Sequence, residues 1–522
     1  MTMRVFRNAT IHTGDPHRPQ VQALAADDEV IVATGTEAEV RAAVGPGAEL
    51  VDLDGAAVIP GLYDAHIHTA SYARERSQVD LRTARSLEEA LAAIAEHAAR
   101  QRPGAWVLGG RWNSNAWERP VQPDRHALDS VCPDRPAALP SIDGHTVWAN
   151  SLALRMVGID RTTPDPVGGQ IVRDEHGEPT GILREAASYP LRDLVPEEDL
   201  ADQLLAAQED LLALGLTSLH DIDGEDCRDA YLRLRDAGAL KLRVLKAIPV
   251  EHLEAAVAEG RRTGDGDDWV RTGPVKLFSD GALGSHTCHM IDGFTGDEGN
   301  HGIAVTPYDD LVKLIRTAAS AGIAVATHAI GDRANRLVLD AYEQAGPAPG
   351  LRHRIEHAQH VRRADIARMA RLGVVASMQP VHCTSDIDLV AALLAGHDHV
   401  SYGWRTLLDE GVALAFGSDA PVEHPNPFVA LHAAVTRTRT DGTPSGGWQP
   451  EQRISVGEAL RAHTLGSAYA AGEEHRKGVL TPGRLADLVA VDTDPFAAEV
   501  DAIARTQVLT TVVGGQVRRQ RP

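Results

Sequence analysis

His66 and His68 stand two apart in PGLYDAHIHTA, directly after a short apolar run. In an extended segment that spacing puts both imidazoles on one face, where they can share a metal ion; two polar residues alternating on a strand are the plainer alternative. Further ligand types lie in later apolar runs: Lys276 in GPVKLFSD, His328 in GIAVATHAI, His357 in RHRIEHA and Asp419 in GVALAFGSD. Each alone has a bland reading. His328 could be a satisfied strand-end histidine, His357 could pair with Glu356, Lys276 could be a buried lysine held by a carboxylate, and Asp419 could cap a turn. Six such residues, in or at the ends of five of the apolar runs, point together to a bound divalent metal. Imidazole with carboxylate suits zinc first, with manganese, iron or cobalt after it. Four histidines disfavour calcium and magnesium.

Those residues need a scaffold that brings strand ends together. The apolar runs at 62–68, 216–222, 242–248, 273–280, 322–330, 352–358, 373–379 and 411–419 read as eight strands. Amphipathic stretches such as YDDLVKLIRTAASAG and ADIARMARLG separate most of them, each closing on glycine as helices often do. This is the arithmetic of an α/β fold, a (β/α)₈ barrel of the TIM type, whose active site gathers at the carboxyl ends of its strands. A doubly wound sheet is the runner-up, but no GxGxxG opens a helix after the first strand.

About 147 residues separate the first two predicted strands, too many for one loop. The expectation is a barrel over 60–469 with a lid or substrate sub-domain inserted at 70–200. Short β-rich segments at both ends, among them EVIVATGT, RLADLVAVDTDP and QVLTTVVGGQVRR, predict a small β-sandwich split between 1–59 and 470–522.

The net charge of −22 argues against a nucleic-acid partner. No apolar run is long enough to span a membrane, and the amino-terminal stretch lacks a signal-peptide core, so a cytoplasmic location is the default. Cys132, Cys227, Cys288 and Cys383 are scattered, which excludes a disulfide framework or a finger-type zinc module. A small-molecule substrate and a homo-oligomer, taken as a dimer, are expected.

PGLYDAHIH, VKLFSDGALGS, THAIGDRAN, RIEHAQ, FGSDAPV and the terminal KGVLTPGRLADLVAVDTDP resemble, in order, the amidohydrolase superfamily in its YtcJ-like (amidohydrolase family 3) branch. The resemblance implies a metal-bearing barrel, a sandwich from both termini, and hydrolysis of an amide-type C–N bond, such as that of an N-acyl, N-formyl or cyclic amide. It implies that His66, His68 and Asp419 hold the more buried ion and that His328 and His357 hold a second. Lys276 would bridge the two as a carbamate, a single ion being the simpler alternative. Metal-activated hydroxide would attack the carbonyl, with Asp419 as general acid and base. His145, in SIDGHTVWAN, would be a second catalytic group at the substrate oxygen, or else cap the following helix.

Trp112, Asp280, His286, His382 and His424 are the expected substrate-binding residues, with a packed core the alternative for Trp112, and a turn residue or a support for a neighbouring side chain the alternatives for Asp280; Trp117, Glu185 and Asp386 are weaker candidates. Where relatives read GSRTA this chain reads GSHTCHM, which puts in doubt an anionic substrate group that the arginine would bind. A separate zinc site on His286, Cys288 and His289 lacks a fourth ligand. The other readings are an ester hydrolase, isomerase or lyase on the same scaffold, or a catalytically silent binding protein.

Overall fold

The computed structural model describes residues 3–102, 104–141, 145–195 and 199–521. The chain divides into two compact units, Met1–Ala70 with Leu204–Pro522, and Ser71–Gln203.

In the first unit eight parallel strands form one sheet in sequential order: β1 (Leu62–Ile67), β2 (Leu216–Asp221), β3 (Arg243–Pro249), β4 (Val270–Phe278), β5 (Val325–Ala329), β6 (Arg354–His357), β7 (Val375–Met378) and β8 (Leu414–Phe416). All eight overlap the segments predicted as strands, with β3 ending one residue beyond its segment and β4 beginning three residues before its own. β1, β2 and β3 are buried along their whole length, as strands with side chains both inside the barrel and under its helices must be. The loop after β8 brings the ends of the sheet together. Asp419 N–H donates to His66 O at 2.7 Å and His68 N–H donates to Ala420 O at 2.9 Å. Gly417 permits this approach, since a Cβ there would meet His66 N at 2.4 Å.

The helices follow from apolar stripes. Tyr308–Ser320 buries Leu311, Val312, Ile315 and Ala318, one face at helical spacing, with Asp309 and Asp310 favouring its positive amino end. Arg363–Leu372 stops where Gly373 adopts φ 65° and donates to Ala370 O.

The termini build two sheets. One holds Met3–Arg7, Ala23–Asp27, Val30–Gly35 and Glu49–Asp52; the other joins Thr10–His12, Gln20–Val21 and Ala57–Pro60 to Leu488–Val491, Val508–Val513 and Gln516–Gln520. Phe6, Ile11, Leu24, Ile31, Val58, Leu488 and Val512 share one core between them. The buried ion pair of Arg243 on β3 with Asp487, at 2.8 Å, ties this layer to the barrel.

In the second unit, Ala138–Pro140, Thr146–Ala149, Pro179–Glu185 and Gly169–Arg173 form an antiparallel sheet in that order. Val79, Ile94, Trp112, Trp117, Leu128, Trp148 and Ile182 pack as a core within this unit. Among the described residues no helix is long and apolar enough to cross a membrane.

A sensitivity to acid is written into the barrel. His463 is buried against Phe416, its Nδ1–H donating to Tyr63 O at 3.2 Å, and burial drives its pKa down to about 4. An unfolded histidine titrates near 6.5. Between those values the unfolded state binds a proton that the folded state refuses, so this contribution is full above about pH 6.5 and is lost as pH falls toward 4. The loss from His463 is on the order of 3 kcal/mol at its limit. Urea unfolding of the wild type should weaken from pH 7.5 to 5, and His463→Gln should weaken less over that range.

Candidate metal centre

The carboxyl ends of β1, β4, β5, β6 and β8 bring His66, His68, Lys276, His328, His357 and Asp419 together. Asp419 Oδ1 lies 3.4 Å from both His66 Nε2 and His68 Nε2. Lys276 Nζ lies 3.5 Å from His66 Nε2. The His357 ring is 4.9 Å from that of His66 and 4.6 Å from that of His328. His66, His357 and Asp419 each offer a ligand atom within 4.8 Å of the other two, a grouping that takes members from both of the expected ion sets. His357 and Asp419 hold left-handed backbone, φ 72° and 61°, which turns their side chains into the centre at a cost in strain.

Each histidine has one nitrogen fastened and the other left for an ion. Nδ1–H donates to Glu356 Oε2 at 2.5 Å from His66, to Asp223 Oδ1 at 3.1 Å from His68, and to Gln379 Oε1 at 2.8 Å from His357. His328 is reversed: its Nε2–H donates to Gly281 O at 3.0 Å, which leaves Nδ1. Such outer partners select the tautomer and orientation of a ligating imidazole. Burial, with Lys276 beside them, drives the pKa of both His66 and His328 down to about 4, so both are neutral and ligand-ready. Burial also opposes charge on His68, yet its bonds to Asp223 and Asp419 carry it up to about 9. Burial lowers the Lys276 amine to about 8. This set of imidazoles, carboxylate and amine fits a borderline divalent transition ion.

Comparisons with known proteins show the family. Residues 49–519 match the Amidohydrolase family. The chain belongs to that family. It is 32% identical to the putative amidohydrolase YtcJ of Bacillus subtilis, over 98% of both chains. It is also 32% identical to the N-substituted formamide deformylase of Arthrobacter pascens, again over 98% of both. An uncharacterized metal-dependent hydrolase from Pyrococcus furiosus superposes with a TM-score of 0.72 at 30% identity, covering 94% of this chain and 99% of that one. The resemblance read from the motifs is therefore shown, and so is the barrel.

The remaining candidates fall in several places. His382 faces the centre: its ring stacks 6.1 Å from His357 and its Nε2 is 3.8 Å from Asp419 Oδ2. Asp280 braces neighbouring groups. It is buried, its carboxylate accepts from the N–H groups of His289, Ile330 and Gly331 at 2.8, 3.0 and 2.8 Å, and it lies 3.5 Å from His328 Nε2. Trp112 follows the packed-core alternative. Its indole is packed in the insert's own core and donates to Leu139 O at 2.8 Å, because a bulky apolar ring in a small unit is needed for packing first. His145 sits on the insert, paired with Glu185 at 3.0 Å. His286 adopts φ 55° with its ring 5.4 Å from Phe294, and His424 is exposed on the loop after β8. Asp386 accepts from the Tyr402 hydroxyl. Cys288 is buried among Leu283, Met290 and Phe294 and behaves as a small apolar side chain.

Sequence reading missed Asp223, Glu356 and Gln379 as partners of the ligands. Asp223 has the richest setting. Its carboxylate also accepts from Ala70 N–H at 2.6 Å, its carbonyl accepts from Lys246 Nζ, and its N–H donates to Asp221 Oδ1 at 3.1 Å. The nearby Asp221, Asp223 and Cys227 grouping is itself neutralised by Lys246, 3.2 Å from Asp221, so it reads as support for the centre. Asp223→Asn should keep the fold and lower metal affinity by about 10–100-fold, read by competition with a chromophoric chelator.

Proposed function

We propose that this protein is a metal-dependent hydrolase that cleaves an amide-type C–N bond of a small neutral molecule, N-substituted formamides being the first class to assay. The observation that carries the reading is the convergence of His66 Nε2, His68 Nε2 and Asp419 Oδ1, with the opposite nitrogen of each histidine fastened to an outer residue. The formamide deformylase relative, matched over 98% of both chains, supports the bond type.

His66, His68, His328, His357 and Asp419 would hold the ion or ions, zinc first among candidates. A divalent ion there acidifies water and polarises the scissile carbonyl. The protein's own groups do the rest. Asp419 is held well below the carboxylate range: burial opposes this, but the His68 hydrogen bond and the surrounding imidazoles prevail. As an anion at the middle of the centre it accepts the proton of the attacking water and passes it to the departing nitrogen. Lys276 has a neutral amine fraction near neutral pH, which can add to carbon dioxide with loss of a proton and become an anionic carbamate ligand. His382 stands beside Asp419, placed to donate to a substrate oxygen.

The test is a panel of N-substituted formamides, N-acyl amino acids, lactams and esters with metal-loaded protein. Turnover of an amide that disappears on chelation and returns with zinc is expected. Cleavage of esters alone, or amide turnover untouched by chelation, overturns the reading.

A further inference from the structure

We propose that His360, His397 and His399 form a second transition-metal site, separate from the barrel centre. His360 lies on the short strand His360–Val361, which pairs antiparallel with Val400–Ser401. That ribbon sets His399, one residue before Val400, beside His360 with ring centroids 5.0 Å apart; His397 follows at 5.9 Å from His399. In the barrel centre the corresponding ring spacings are 4.6, 4.9 and 5.6 Å. Imidazoles sharing a tetrahedral ion at ~2.0–2.1 Å place their centroids about 5 Å apart.

The nitrogens are what single this cluster out. His360 is fully buried and its Nδ1 pairs with Ser401 Oγ at 2.9 Å, the kind of outer contact that presents the opposite nitrogen to an ion. Its Nε2, with Nδ1 of His397 and Nδ1 of His399, is shielded from solvent and has no hydrogen-bond partner among the described residues. An unsatisfied buried polar atom is costly, so three in one cluster ask for a common partner. Burial and the neighbouring histidines also keep His360 and His399 neutral, the form that binds metal.

The three ligand atoms are more widely spread than the barrel triad, so binding draws His397 and His399 inward from their half-buried loop. Asp398, between them, is turned out toward Arg362, its carboxylate 3.7 Å from the guanidinium, which leaves the fourth position to water. Three neutral imidazoles and a water suit zinc, cobalt, nickel or copper and exclude calcium and magnesium. An ion there would pin the 394–402 loop to the strand that follows β6.

The test uses untagged full-length protein, stripped with a chelator and titrated with cobalt(II), in three forms: wild type, His397→Gln/His399→Gln, and His68→Ala. The loop variant changes half-buried positions outside the barrel centre. It should bind one equivalent fewer than wild type, and it should lack the absorption and thermal stabilisation by cobalt that His68→Ala retains from the loop site. Equal stoichiometry in wild type and loop variant overturns the proposal. Loss confined to His68→Ala would do the same while leaving the barrel reading intact.

Discussion

Asp419→Asn should keep its fold and its bound metal and lose turnover by about 10³-fold. The choice of asparagine is dictated by the backbone. Asp419 sits at φ 61°, a left-handed conformation that asparagine tolerates almost as well as aspartate and that alanine resists. Its N–H donation to His66 O, which helps close the barrel, is a main-chain contact and survives the change. What is lost is the negative charge 3.4 Å from two imidazoles and the ability to take a proton. Metal analysis alongside the kinetics separates the two effects. A variant that keeps its metal and more than a tenth of wild-type turnover would remove Asp419 from the proton transfer. A variant that loses the metal would assign the residue to ligation alone.

The barrel and the gathering of candidate ligands at one end of it were legible because each strand is a short apolar run, and the ligand types recur where those runs end. A parallel barrel then has one place for such residues. The support beneath them was not legible, since it is set by register across distant strands. Glu356 shows this. From sequence it is the natural partner of its neighbour His357, but adjacent residues on a strand face opposite ways. In the structure Glu356 holds His66, 290 residues away, and His357 turns instead to Gln379. Asp223 and His68 are 155 residues apart for the same reason. Asp280, read as a turn residue or as orienting substrate or a neighbouring side chain, gathers three N–H groups, one from its own loop and two from the loop after β5. Trp112 is a different case. Apolar aromatic residues are required both by pocket walls and by small cores, and spacing alone does not separate the two uses.

Glu356→Ala should be the most damaging single change to the fold, because it strips the counter-ion from a chain of buried polar groups. Arg354, Glu356 and His66 are all shielded from solvent. Arg354 Nε and Glu356 Oε1 form an ion pair at 2.5 Å, Glu356 Oε2 accepts from His66 at the same distance, and Arg354 Nη1–H donates to His220 Nδ1 at 2.8 Å. Burial works against the Glu356 anion, yet Arg354 and His66 together hold its pKa well below the carboxylate range. Replacement by alanine leaves the Arg354 charge inside the barrel with only a neutral imidazole for company. Breaking a buried pair in this way costs about 3–5 kcal/mol. It also unfastens His66, so the stability loss should arrive with a loss of bound metal. Glu356→Gln keeps an acceptor for His66 and fills the same volume, so it should retain more of both. Urea unfolding with metal analysis reads the two effects together: if Glu356→Ala unfolds within 1 kcal/mol of wild type, roughly the scatter of an ordinary substitution, and keeps its metal, then Glu356 is not the brace that this geometry makes it.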